Sequence, residues 1–157
     1  HFGFHDNTPE EEQQMAAALI GVPKYTKVQM FNVPLIVRVP GLPGETRGNM
    51  GGQVDILPTA ANLLGIDLSG MIVFGQDLLN HTGNLIPERV YLPSGSFINE
   101  EAMVIPGKGL EDARVLPLDP GEPAKPAETY RDDYERALKL LQLSDSYVNA
   151  LPVMARE

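Results

Sequence analysis

The residues of this chain that could do chemistry gather in two places. The first is the segment HFGFHDN, residues 1–7, where His1, His5 and Asp6 stand together. Neutral imidazole and carboxylate are a donor set suited to zinc or manganese. A histidine that titrates near neutral pH also suits general acid–base work. Residue types alone favour a third reading, a polar surface loop, and all three stay open at this point. The second place is PGLPGETRGNMGG, residues 40–52, a Gly/Pro-rich loop whose one cation is Arg47. It runs into a helix start at Asp55, a geometry able to receive an anion. The Asp55 charge opposes that, and neither a P-loop nor a GxGxxG order is present. Arg38, near the end of an apolar run, reads as an edge ion pair. His81 and the glutamates Glu10, Glu11 and Glu12 read as solvated surface. No Ser or Thr lies beside an evident base, so the chain offers no nucleophile of its own.

Composition narrows the classes. The chain has 157 residues, enough for one domain with a core. It carries 21 acidic against 12 basic side chains, a net charge of −9. Binding to a phosphate backbone needs clustered cations, so nucleic acid is not an expected partner. Adhesion to an anionic bilayer is disfavoured for the same reason. There is no cysteine, which excludes disulfides, thiolate zinc sites and a Cys nucleophile. No apolar run approaches the roughly 18 residues of a membrane span. A first residue of His rather than Met suggests a fragment or a processed piece.

Several elements must position these groups. Thr8-Pro9-Glu10-Glu11 opens a helix, with Thr8 as cap, Pro9 at the first position and Glu11 closing a capping box. Met15, Ala18 and Leu19, with Val22 as a further candidate, form its apolar stripe, ending near Gly21. Val33 to Val39, VPLIVRV, reads as a strand buried on both faces of a parallel or mixed sheet. In GGQVDILPTAANLLGI, residues 51–66, Asp55 is positioned to cap a helix and Pro58 fits its first turn. Leu57, Ala60, Ala61 and Leu64 would bury one face, leaving Thr59 exposed or half-buried, and Gly65 stops the helix. Phe74 to Leu79 suggests a turn at Gly75 followed by a short packing element. Val90–Ile98 reads as two short strands about a Pro-Ser-Gly turn, and Glu101–Ile105 and Ala113–Leu118 as two more. Asp119–Ala127 is a Pro-rich linker. Glu128 to about Gln142 is a helix with the stripe Tyr130, Tyr134, Ala137, Leu138 and Leu141, and Ser144 starts a further turn.

The wording VDILPTAANLLGI, with GGQ before it and Phe74-Gly75-Gln76-Asp77-Leu78-Leu79 after it, resembles the sulfatase/alkaline-phosphatase superfamily. It looks most like the lipoteichoic acid synthase, or phosphoglycerol transferase, branch. In many sulfatases the position of Gln53 is histidine; glutamine is similar to the transferase branch and weakens the case for a second metal there. His1-Phe2-Gly3 resembles the tail of the family's Asp-His-x-Gly metal motif.

The resemblance implies a set of expectations. The fold is α/β: a partial alkaline-phosphatase-like mixed sheet flanked by helices in residues 1–86. A small antiparallel sheet and a terminal helix follow in 87–157. The activity is transfer of glycerophosphate from phosphatidylglycerol to a growing polymer through an upstream Thr nucleophile, at the extracellular face of a membrane to which the parent is anchored. The cofactor is a divalent metal, manganese first, with magnesium, zinc or calcium as alternatives. His1 is the one metal ligand in the chain; His5, Asp6 and Arg47 are weak substrate-binding candidates. The partners are the upstream part of the same polypeptide and an anionic ester substrate, and the fragment alone is expected to be inactive. A sulfatase, a non-catalytic extracellular binding module and a small metal-binding domain using His1, His5 and Asp6 are the alternatives.

Overall fold

The computed structural model describes residues 9–21 and 27–152. His1, His5, Asp6, Thr8 and Val22 lie outside the described residues. The described chain forms four α-helices and one four-stranded sheet: α1 Glu10–Ile20, α2 Lys27–Phe31, α3 Ile56–Leu64, β1 Leu85–Glu88, β2 Ser96–Asn99, β3 Ala102–Ile105, β4 Arg114–Pro117 and α4 Arg131–Ala150.

The sheet is a meander in the order β1-β2-β3-β4, antiparallel throughout. Short turns dictate that pairing, since a hairpin returns a strand beside its predecessor whereas parallel pairing needs a crossover. Its register sets Ile86 opposite Ile98, Phe97 opposite Val104 and Met103 opposite Leu116. Strands β3 and β4 fall where the sequence predicts. The first hairpin does not: its opening strand is Leu85–Glu88, and Val90 and Leu92 lie in the turn instead. Tyr91 there takes φ 59°, a left-handed conformation incompatible with a strand.

Helix α4 covers this sheet through β1 and β2. A 3-10 turn, Ala127–Tyr130, leads into it, and it continues unbroken eight residues past the predicted end at Gln142. Tyr130, Tyr134 and Ala137 of the predicted stripe form the packing face, joined by Leu140 rather than by Leu138 or Leu141. Tyr130 and Ala137 are buried, with Tyr134 and Leu140 packed beside them, against Leu85, Phe97, Ala102, Val104 and Leu110. Phe97 and Tyr130 meet edge-on at 6.5 Å between ring centroids. Gly95, at φ +90°, lies so close to α4 that a Cβ would sit 2.6 Å from the Tyr134 ring.

The first half differs from expectation in a consistent way. Val33–Val39 forms no strand and pairs with no described segment, and its side chains are mostly exposed. An apolar run becomes a strand only when another strand takes its N–H and C=O groups, and no described segment does so. On α1 the predicted stripe is inverted: Met15, Ala18 and Leu19 are exposed and Ala16 and Ala17 are buried. Pro9 is the residue before the helix rather than its first, and among the described residues no side chain caps that end. Gly21 closes α1 in the left-handed conformation, as predicted. On α3 Leu57 and Leu64 are exposed, whereas Thr59 and Ala61 are buried.

Candidate functional site

The most highly organised polar arrangement centres on Asp55. This carboxylate is 1% exposed. Oδ2 accepts from the Gly52 N–H at 2.7 Å and from the Asn84 amide at 2.8 Å, and Oδ1 accepts from the Gln76 N–H at 2.7 Å. The carboxylate does not cap α3 as the sequence predicts; it reaches back to the backbone that precedes the Gln53–Asp55 turn and across to two later loops. Thr59 completes the clasp. Its hydroxyl donates to the Asp55 carbonyl at 2.6 Å and accepts from the Leu78 N–H at 3.0 Å. That double engagement draws Thr59 inward, against the expectation that it would be exposed or half-buried.

Loop 74–79 fits because of Gly75. A Cβ there would overlap the Val54 carbonyl and lie 2.7 Å from the Asp55 nitrogen. Only glycine lets the chain pass close enough for Gln76 to donate to Asp55. Asn49 donates from its side chain to the Leu78 carbonyl at 2.9 Å, adding a second tie across the same gap. The clasp is architectural: every oxygen of Asp55 and the hydroxyl of Thr59 is committed to an internal partner, so neither is free to act on a substrate.

Arg47 borders this region. Its guanidinium bonds Glu45 at 2.7 Å and the Leu79 carbonyl at 2.8 Å. An anion would have to compete with both. Among the described residues the His81 ring approaches only the Asp77 carbonyl, at 3.2 Å. Arg38 has no ion-pair partner among the described residues. Gln53 is exposed, at the start of the 3-10 turn.

A second polar feature lies between the sheet and the start of α4. It is an open cleft of about 460 Å³, lined among others by Asn84, Asn99, Glu101, Lys125, Tyr130 and Asp133. Lys125 and Glu101 pair at 2.5 Å. The hydrogen bond from Lys125 holds the Glu101 carboxyl below its ordinary range, and the same bond holds the Lys125 ammonium above its own. Asn99 donates to Asp133 at 2.8 Å. These charges neutralise one another, which suits a surface seam better than a charged ligand. Among the described residues, no three His, Asp or Glu side chains come together to hold a metal. The described part therefore does not fit a resident cation by itself.

Sequence reasoning missed Asn84 and Gln76 as partners of Asp55. The motif spacing places Asp55 and Gly75 in recognisable segments, but nothing in it says that these segments touch.

No family model matches the chain. It is 38% identical over 105 residues to the lipoteichoic acid synthase-like protein YvgJ of Bacillus subtilis, covering 63% of this chain and 16% of that one. The crystal structure of the lipoteichoic acid synthase LtaP from Listeria monocytogenes superposes with a TM-score of 0.59 at 38% identity, over 64% of this chain and 24% of that chain. The chain is similar to lipoteichoic acid synthases and synthase-like proteins. It matches the C-terminal part of such proteins, within the sulfatase/alkaline-phosphatase superfamily. Lipoteichoic acid synthase 1 of B. subtilis aligns over 92% of this chain at 29% identity, so the likeness extends into the sheet and α4. The chain spans 16% and 22% of the length of these two Bacillus relatives. The segments that carry the resemblance, GGQVDILPT and FGQDLL, are the two that the Asp55 clasp joins in this synthase-like fold.

Proposed function

We propose that this chain is the C-terminal part of a membrane-anchored, extracellular enzyme that transfers glycerophosphate from phosphatidylglycerol to a growing polymer. The observation that carries the reading is the 38% identity shared with both YvgJ and LtaP, a lipoteichoic acid synthase. Gln53, where many sulfatases have histidine, supports transferase over sulfatase. In this reading residues 1–86 complete the catalytic α/β domain and 87–157 form the smaller subdomain against it.

The chain contributes scaffold rather than reacting groups. The Thr59 hydroxyl is consumed within the clasp, which supports an upstream Thr as nucleophile. The resident cation is divalent, manganese first, and His1 is one of its ligands, the others being upstream. The piece alone is therefore inactive. Among the described residues no helix is long and apolar enough to cross a membrane, so an anchor would also belong to the rest of the parent.

Calorimetric titration with manganese tests the divided site. A chain extended upstream through the nucleophile is expected to bind at least about tenfold more tightly than this one, and His1→Ala to weaken that binding by a similar factor. Equal affinity of the short chain would instead assign the metal to His1, His5 and Asp6 within a small self-sufficient module.

A further inference from the structure

Helix α4 continues past the surface it packs on. Leu140 is its last residue in the core against the sheet. The helix nonetheless runs on to Ala150, about 15 Å further along its axis. The sequence of that extension does little to sustain it. Ser144, Asp145, Ser146, Tyr147, Val148 and Asn149 are all of types that rank low in helix propensity. The Ser146 hydroxyl also donates back to the Gln142 carbonyl at 2.8 Å, a bond that slightly weakens a helix. A helix end of this composition frays in water unless tertiary contacts hold it.

A ring contact and an ion pair hold it from elsewhere in the chain. Ala137, Leu140, Ser144 and Tyr147 stand at steps of 3, 4 and 3, so the face that packs on the sheet carries on to Tyr147. Tyr147 meets Phe74 at 6.1 Å between ring centroids and 59° between ring planes, within the distance and tilt that aromatic pairs favour. It is 37% exposed, whereas Leu143, Val148 and Leu151 around it run from 48% to 59%. Asp145 pairs with Arg89 of the first hairpin turn at 2.7 Å. That pair is exposed and gives direction more than energy.

Phe74 stands at the start of the loop that closes the Asp55 clasp. The next residue, Gly75, passes against the Val54 carbonyl, and the Gln76 N–H after it donates to Asp55. Leu78, in the same loop, donates to Thr59. We propose that residues 143–150 of α4 form a strap that holds this loop on the clasp through Tyr147 and Phe74. The far end of the chain then sets how often the loop opens. Poor helix formers held by one ring pair and an exposed ion pair open more readily than the sheet does. Release of the strap leaves the core between α4 and the sheet in place, because that core ends at Leu140. The device acts whatever reaction the parent performs.

The test is amide hydrogen exchange by NMR on this chain, read at Gln76 and Leu78 with the β2 and β3 amides as reference. Tyr147→Ala should speed exchange at Gln76 and Leu78 by about threefold to tenfold and leave the reference amides within about twofold. Phe74→Ala should match it. The double substitution should add less than about twofold to either single one, because the two rings are halves of one contact. Tyr147→Phe keeps the ring and should leave every amide unchanged. Arg89→Ala should stay within about twofold throughout. Three results overturn the proposal: Gln76 and Leu78 unmoved by Tyr147→Ala, a uniform acceleration that includes β2 and β3, or single effects that multiply in the double variant. None of these readouts involves turnover or metal, so they stand or fall apart from the transferase reading.

Discussion

Replacing Asp55 is the sharpest probe of what holds the first half of the chain together. Asp55→Ala takes the acceptor from three half-buried donors, the Gly52 and Gln76 N–H groups and the Asn84 amide. An orphaned buried donor costs about 1–3 kcal/mol, so three half-buried ones, which water reaches in part, come to about 3–5 kcal/mol. For a chain of this size that is a fall in melting temperature of about 6–20 °C. Asp55→Asn separates charge and acceptor geometry from volume. Its remaining oxygen best replaces Oδ2, which serves two donors, and its NH2 group then faces the Gln76 N–H. One lost bond and one donor–donor clash predict about 1–3 kcal/mol, less than alanine. Urea unfolding followed by circular dichroism gives the totals. Hydrogen exchange at Gln76 and Gly52 gives the location, with Gln76 losing more protection than Gly52 in the asparagine variant. If both variants unfold within about 0.5 kcal/mol of the parent sequence, the clasp is not what joins these segments.

Other outcomes follow from the same geometry. Gly75→Ala drives a methyl into the Val54 carbonyl and should cost at least about 2 kcal/mol in urea unfolding, the loop being unable to shift without breaking the Gln76 bond. Thr59→Val keeps the shape but strands the Leu78 N–H and should cost about 1–3 kcal/mol, whereas Thr59→Ser should cost less; equal losses would point to packing rather than the hydroxyl. Glu88 is half-buried and desolvation raises its carboxyl above the ordinary value. The folded state therefore holds this proton to higher pH than the unfolded chain, so stability falls as pH rises from the ordinary carboxyl range through the raised one. Glu88→Gln should accordingly be more stable than the parent sequence at neutral pH, with the gap closing as acid protonates Glu88; a gap unchanged with pH would contradict the assignment. The exposed Arg89–Asp145 pair, 2.7 Å apart, joins the first hairpin turn to α4, and Arg89→Ala should leave the urea midpoint unchanged within error.

What was legible in the sequence divides along the line between local and distant partners. Strands β3 and β4, the linker and α4 follow from alternation, turn residues and a 3.6-residue stripe, because the surface they bury against lies within the described residues. Val33–Val39, Met15, Leu19, Leu57 and Leu64 carry equally clear apolar patterns and yet are exposed, since no described segment packs over them. The pattern reports what a residue needs, not whether the partner is present. The roles of Thr59 and Asp55 were misjudged for a different reason. A helix-cap motif and a buried three-donor clasp look alike in one dimension, and only the approach of Gly75 to Val54 distinguishes them. The first hairpin was displaced because Val90-Tyr91-Leu92 has strand-like residue types and is held in a turn by Tyr91 in the left-handed conformation. The residues expected to bear chemistry, His1, His5 and Asp6, lie outside the described residues, so their assignment still rests on the resemblance. Arg47 is described, and its engagement with Glu45 and Leu79 leaves it weakly placed for substrate.

The central claim is that this chain is part of a phosphoglycerol transferase. The most direct measurement is diacylglycerol release from phosphatidylglycerol vesicles, with manganese, by the full-length parent and by this chain alone. Diacylglycerol is what remains when the phosphodiester bond to it breaks and glycerophosphate is transferred. The account predicts release by the parent, loss of release on His1→Ala, and none from this chain. A parent that leaves phosphatidylglycerol intact while hydrolysing an aryl sulfate, or a chain that turns over unaided, would contradict it.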